Sequence, residues 1–318
     1  MFDRFTLMLL VAVLLATLLP AQGVAADVFN GLTVVGVAIL FFLHGARLSR
    51  EAVLAGLAHW RLHVTVLACT FVLFPLLGLA LKPLAGLVLA PALVTGLLYL
   101  CTLPSTVQSS IAFTSIARGN VPAAVCSASA SNLLGIFITP LLVGLLLSTE
   151  GHMGSPLKAI SNIVLQLLVP FLAGHLLRPW IGTFVARWKS ALTLFDRGTI
   201  LLVVYTAFSE AVVDGLWHQL SPGMLLTLLG VCVGLLVLVL ALTQLIARRM
   251  GFNREDRITI LFCGSKKSLA TGVPMANILF AGSPALGVIV LPLMLFHQVQ
   301  LMACAYLANR YAQQAEAG

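Results

Sequence analysis

The stretch GSKKSLATG, Gly264 to Gly272, sets two adjacent ammonium groups, Lys266 and Lys267, between the apolar runs ITILFC and VPMANILFA. An ionisable side chain inside apolar sequence is costly to keep and marks a functional position by default. A lysine there has three uses. It can hold an anionic ligand, it can stand where a bound cation would satisfy free backbone carbonyls, or it can release its proton in a low-dielectric setting. Ser265 and Ser268 flank the pair, and a second apolar segment is interrupted at Gln108, Ser109 and Ser110. CSASASN contributes Ser129, Ser131 and Asn132, and HQVQ contributes Gln298 and Gln300. The sequence has no HExxH, GxSxG or P-loop motif, so neither an enzyme nor a nucleotide-driven pump is expected. The chemistry is that of a binding site, with no metal or other cofactor implied by these residues.

The elements that position these groups follow from composition. Apolar residues make up 60% of the chain and charged residues 9%, with a mean hydropathy of +1.07. A soluble domain carries about 25% charged residues, so this chain is dissolved in lipid. Ten apolar segments approach the ~20 residues needed to cross a bilayer: 5–22, 28–47, 62–81, 86–117, 120–147, 157–178, 192–213, 223–247, 256–282 and 285–309. Each must be helical, because lipid offers an isolated strand no hydrogen-bond partner. The fourth and ninth are broken by polar residues at Ser105–Ser110 and Gly264–Ser268. At ~1.5 Å per helical residue, Lys266 lies ~14 Å beyond Arg257, and Ser110 ~12 Å from Arg118. Both breaks therefore fall near the bilayer centre, as do CSASASN and HQVQ.

Charge gives the expected orientation. Ten spans that start inside place fourteen basic residues on one side: Arg4, Arg47, Arg50, Arg61, Arg118, Arg178, Arg187, Lys189, Arg197, Arg248, Arg249, Arg254, Arg257 and Arg310. The other side receives Lys82 and Lys158. Basic short loops stay cytoplasmic, so both termini are expected in the cytoplasm and the protein in the cytoplasmic (inner) membrane. The formal charge of +8 reflects this topology and attraction to anionic lipid, not nucleic acid. The first span reads as a retained helix; a signal peptide ending in LLPAQGVAAD is the alternative. All six cysteines fall in apolar spans without CxxC spacing, which predicts buried thiols instead of disulfides.

Division at 150/151 gives two halves of five spans that begin on opposite sides of the membrane, each with its broken helix fourth. QSSIA (108–112) matches KKSLA (266–270), and GNVPAA (119–124) resembles GSPALG (282–287). The expected fold is thus an all-α polytopic membrane protein of two inverted five-helix repeats.

The runs LPSTVQSSIAFTSIARGNVPAA, SNLLGIFITPLL, LFCGSKKSLATGVPMANILF and LPLMLFHQVQLMACAYLA resemble the bile acid:sodium symporter superfamily. The likeness is nearest to its bacterial branch related to solute carrier family 10 member 7. The resemblance implies a panel domain (spans 1, 2, 6 and 7) and a core domain (spans 3–5 and 8–10) in which the two broken helices cross. It implies alternating access to a small-molecule site, with sodium held near the crossing. Ser109 and Ser110 match the family's Ser-Asn pair, and Ser129, Ser131 and Asn132 fall among its fifth-helix ligands. Phe262, however, stands where the bile-acid branch has an acidic residue, and Lys266 and Lys267 stand at its Gln-Asn pair. That exchange removes the charge that attracts sodium and adds the charge that repels it.

One lysine ammonium is therefore expected to replace the bound cation, donating to freed carbonyls and to Ser109, Ser110 or Asn132. The other is expected to face the panel and an anionic substrate, or to carry a coupling proton. The expected function is secondary transport of a small organic anion. A non-transporting regulator or receptor of calcium-handling type on the same fold is the alternative. Glu210 in the seventh span reads either as a gate or proton acceptor, or as an interfacial carboxylate beside Asp214. Asn162 and Gln166 read as inter-helix hydrogen-bonding groups, and Tyr99, Trp60, Trp180, Trp188 and Trp217 as interfacial anchors. Gly78, Gly144 and Gly234 read as close-packing positions.

Overall fold

The computed structural model describes residues 4–47, 59–147, 164–215 and 220–316, and every regular element in them is a helix. In chain order these are α1 (Arg4–Leu18), α2 (Val24–Arg47), α3 (Trp60–Val88), α4 (Pro91–Thr102), α5 (Val107–Ile116) and α6 (Val121–Leu147). There follow α7 (Val169–Arg187, entered through a π-turn at Val164–Leu168), α8 (Lys189–Val213), α9 (Pro222–Arg249), α10 (Arg254–Gly264), α11 (Leu269–Leu279) and α12 (Leu286–Glu316). Among the described residues, α2, α3, α6, α8, α9 and α12 include segments long and apolar enough to cross a membrane. The chain is an integral, polytopic membrane protein. Arg50, Lys158, Asn162, Trp217 and the 150/151 boundary lie outside the described residues.

The fourth and ninth expected spans are each two short helices, α4–α5 and α10–α11. The first break is displaced from its expected place: it covers Leu103–Thr106, and Gln108, Ser109 and Ser110 lie inside α5. Pro104 is the reason. A residue that precedes proline is pushed out of the helical region, and Leu103 is extended, at φ −73° and ψ 154°.

The chain divides into two compact units, each packed mainly on itself. Unit 1 comprises Met1–Leu48, Glu150–Pro222 and Val273–Val290, and so holds α1, α2, α7 and α8. Unit 2 comprises Ser49–Thr149, Gly223–Gly272 and Leu291–Gly318. The boundaries cut α11 after Gly272 and α12 after Val290.

Within unit 1, α2 and α7 approach until their backbones touch. A Cβ on Gly45 would lie 1.9 Å from the Phe171 carbonyl oxygen, and one on Gly174 would lie 1.9 Å from that of Phe42. Small residues permit such approach where lipid supplies no hydrophobic drive between helices. Gly174→Ala is accordingly expected to cost ~2 kcal/mol or more, toward the upper end of overpacking penalties. The melting temperature of the purified protein would show it. Gly144→Ala serves as the control, since a Cβ on Gly144, as on Gly234, meets nothing within 4 Å among the described residues, where neither is the packing position expected of it. Equal melting of both variants would contradict the contact. Gly78 does pack, with its Cβ position 2.9 Å from the Cys101 thiol. The six cysteines are free and buried. Tyr99 is no interfacial anchor: it is fully buried in unit 2, and its hydroxyl donates to the Gly272 carbonyl at 2.6 Å.

Candidate functional site

A helix that stops inside a membrane leaves its last carbonyls without amide partners, and buried carbonyls must be satisfied somehow. In unit 2 the end of α4 can be accounted for group by group. The Tyr99 carbonyl accepts from the Thr102 hydroxyl, and that of Leu100 from the Leu103 amide. Thr102 receives the Thr139 hydroxyl, Pro104 the Ser268 amide, and Ser105 the Asn132 side-chain amide. The Cys101 and Leu103 carbonyls remain. Lys267 Nζ donates to both, at 3.0 and 2.6 Å, and to the Thr70 carbonyl at 2.8 Å. Three donors meet three acceptors, and the ammonium also lies 4.0 Å from the centroid of the Phe74 ring.

The Thr70 carbonyl is free for a local reason. Cys69–Leu73 forms a π-turn in which the Phe74 amide bonds to Cys69 and not to Thr70. The next residue, Pro75, has no amide hydrogen to offer. The π shift and the proline together orphan one carbonyl, and Lys267 fills the gap. Sequence reasoning missed Thr70. The Pro75 that ends CTFVLFP was the available signal, because a proline inside a span frees carbonyls one turn earlier.

Ser105 and Lys267 each stand third in their breaks, and their bonding is reciprocal. Lys267 donates to Cys101 at the end of α4, while the Ser105 hydroxyl donates to Cys263 at the end of α10, at 2.6 Å. Their own backbones are held alike. The Ser105 amide donates to Ser131 Oγ, and its carbonyl accepts from Asn132, both on α6. The Lys267 amide donates to Gln300 Oε1, and its carbonyl accepts from Gln300 Nε2, on α12, at 2.9 and 2.8 Å. These bonds set Ser105 beside Lys267 in role, whereas the QSSIA/KKSLA match sets Ser109 opposite Lys267.

The other expected residues divide. Ser110 donates to the Phe262 carbonyl at 3.0 Å. Ser268 caps α11 by accepting the Thr271 amide, and the Thr271 hydroxyl donates to Asn132 Oδ1 at 2.6 Å. Ser265 turns back to the Leu261 carbonyl of its own helix. Ser109 is on α5, and its buried hydroxyl has no partner among the described residues. Gln108 is exposed, while Ser129 and Gln298 are half-buried. None of Ser109, Ser110 and Asn132 receives the lysine; its acceptors are backbone carbonyls alone. Ser105, Thr139 and Thr271 belong to the same network and were not anticipated. Glu210 lies in unit 1.

Lys266 differs from its neighbour. It too is fully buried, and the two rings beside it belong to unit 2. Its ammonium sits 3.9 Å from the Phe113 ring centroid and 5.7 Å from that of Phe262, with no hydrogen-bond partner among the described residues. The second break therefore holds two ammonium groups. Phe262 occupies the acidic position as a buried ring against Phe113 and Tyr311. These residues are a poor fit to a sodium ion: Phe262 supplies no carboxylate, two ammonium groups lie at the break, and the orphaned Thr70, Cys101 and Leu103 carbonyls already receive one of them.

A family model described as the SBF-like CPA transporter family matches residues 3–313. A chain from Pseudomonas aeruginosa described as uncharacterized is 64% identical over 312 residues, covering 98% of this chain and 93% of its own length. The Escherichia coli (strain K12) protein named "Putative symporter YfeH" is 57% identical over 314 residues, covering 99% and 94%. Sodium/bile acid cotransporter 7 of Rattus norvegicus is 29% identical over 307 residues, covering 94% and 89%.

Proposed function

The chain belongs to the SBF-like CPA transporter family, and from that premise we propose that it carries a small organic anion across the cytoplasmic membrane by alternating access. In this proposal Lys267 stands in for the cation that a broken-helix transporter would otherwise bind. One observation carries it: the Lys267 ammonium donates to three orphaned carbonyls, at 2.6 to 3.0 Å. Without a bound metal ion to release, transport proceeds without a sodium gradient. Lys266, an ammonium that no acceptor holds among the described residues, is the charge that the anion or a coupling proton addresses. Glu210 on α8 belongs to the moving parts as a gate or proton acceptor.

Inverted five-helix repeats are part of the same proposal, supported by the reciprocal bonds of Ser105 and Lys267. So are cytoplasmic termini, supported by the distribution of basic residues. A carboxy-terminal green fluorescent protein fusion is expected to fluoresce in cells, and a dark but expressed fusion would reverse the orientation.

The direct test is uptake into proteoliposomes that hold the full chain. Taurocholate and a panel of small carboxylates and sulfonates would be offered in NaCl and in choline chloride. Uptake of at least one anion at equal rates in the two salts is the expected result. Uptake that needs sodium would remove the role given to Lys267, and carriage of cations or neutral solutes alone would remove the anion.

A further inference from the structure

We propose that unit 1 carries a second ligand site, a pocket for a small organic cation bearing a primary ammonium group, built on Glu210, Asp214, Ser209 and Asn30. The pocket is a cavity of about 310 Å³ where the end of α8 meets the start of α2. Asp214 caps the end of α8 one turn beyond Glu210, its amide donating to the Glu210 carbonyl, and both residues line the cavity. Neither forms a salt bridge among the described residues, and no lysine or arginine lines the cavity. Among the described residues, the wall's negative charge therefore has no basic partner.

Ser209 supplies an independent indication of a ligand. It lines the cavity at 1% exposure, and its hydroxyl has no hydrogen-bond partner among the described residues. Helical hydroxyls usually escape this cost by donating back to the preceding turn. Thr17, Thr193 and Thr206 of the same unit all do so. The Ser209 hydroxyl does not, and a buried polar group left unmatched asks for a partner from outside the chain.

The character of the walls selects the ligand. The polar groups are carboxylates, a hydroxyl and the Asn30 amide, and an ammonium's three hydrogens suit such oxygen acceptors. The remaining surface includes Ala21, Ala26 and Val213, small apolar groups against which a short carbon stem can lie. A bare inorganic ion would leave most of this volume to water, since one water takes only ~30 Å³. The volume is instead at the lower end of small-molecule pockets, about 300–1,000 Å³.

The test uses the full chain in phosphatidylcholine nanodiscs, titrated with n-butylammonium chloride, NaCl and MgCl2 at matched ionic strength and constant pH. The readouts are calorimetric binding and melting temperature. Saturable binding of butylammonium with a rise in melting temperature is expected. Both should be lost in the Glu210→Gln/Asp214→Asn variant and weakened several-fold in Ser209→Ala, which changes no charge and keeps the test sound if the double variant fails to fold. No saturable binding to the unaltered chain would overturn the proposal, as would binding that survives in the variants. Saturable binding of MgCl2 without butylammonium would overturn it in favour of a metal site. Anion uptake does not enter these measurements, so failure of this site leaves the proposed anion transport through Lys266 and Lys267 standing, and Glu210 is the one residue the two readings share.

Discussion

Replacing Lys267 with Met is expected to lower the melting temperature on the order of 5–10 °C and to abolish transport. The substitution leaves the Thr70, Cys101 and Leu103 carbonyls buried with no donor. Each orphaned group costs ~1 kcal/mol or more, and the sum translates to that shift at ~2–4 °C per kcal/mol. The Lys267→Ala variant makes a sharper prediction. It opens a cage of three carbonyls at the position of the ammonium, and carbonyl oxygens suit hard cations. NaCl, compared with choline chloride at equal ionic strength, should then raise the melting temperature of the variant and leave that of the unaltered chain alone. Sodium-specific stabilisation of the unaltered chain would mean that the ammonium does not hold the cation position.

Lys266→Met should behave in the opposite way. The ammonium has lost its hydration and gains only two ring faces in exchange, an attraction worth ~0.5–2 kcal/mol. Both rings belong to one apolar cluster, which Phe262 forms with Ala117, Ile258, Cys304 and Ala308 and against which Phe113 packs, and a methionine packs well beside it. Removal of a buried, unpaired charge is neutral to stabilising. Melting should therefore be unchanged or higher, while uptake of the transported anion falls at least ~10-fold, equivalent to ~1.4 kcal/mol. Undiminished uptake together with a lower melting temperature would make Lys266 a structural residue. Two adjacent lysines of identical chemistry would thus be separated by the sign of their effect on stability.

The surroundings of the two lysines also show where sequence and structure divide the work. Composition alone placed the chain in lipid, because 9% charged residues cannot cover a soluble surface. The midplane lysines stood out for the same reason: an ammonium is rare wherever its neighbours are Ile, Leu and Phe. That Ser110, Ser131, Asn132, Ser268 and Gln300 would share one network was legible from depth, since helical rise fixes how far each lies from a charged end.

The sequence did not contain the pairing. Which lysine meets carbonyls depends on a direction of rotation within a non-helical break, where no periodicity applies. Lys267 is directed to α3 and α4, and Lys266, one residue earlier, to the rings of Phe113 and Phe262. The Thr70 acceptor arises only because a π-turn and Pro75 coincide beside a helix remote in sequence. Likewise Tyr99, a plausible interfacial side chain by position, became core when its hydroxyl found the Gly272 carbonyl. Span number, depth and polarity are one-dimensional properties that hydrophobicity imposes locally. The choice of partner for each freed carbonyl is three-dimensional, and only the packing of α3, α4, α6 and α12 against the two breaks decided it.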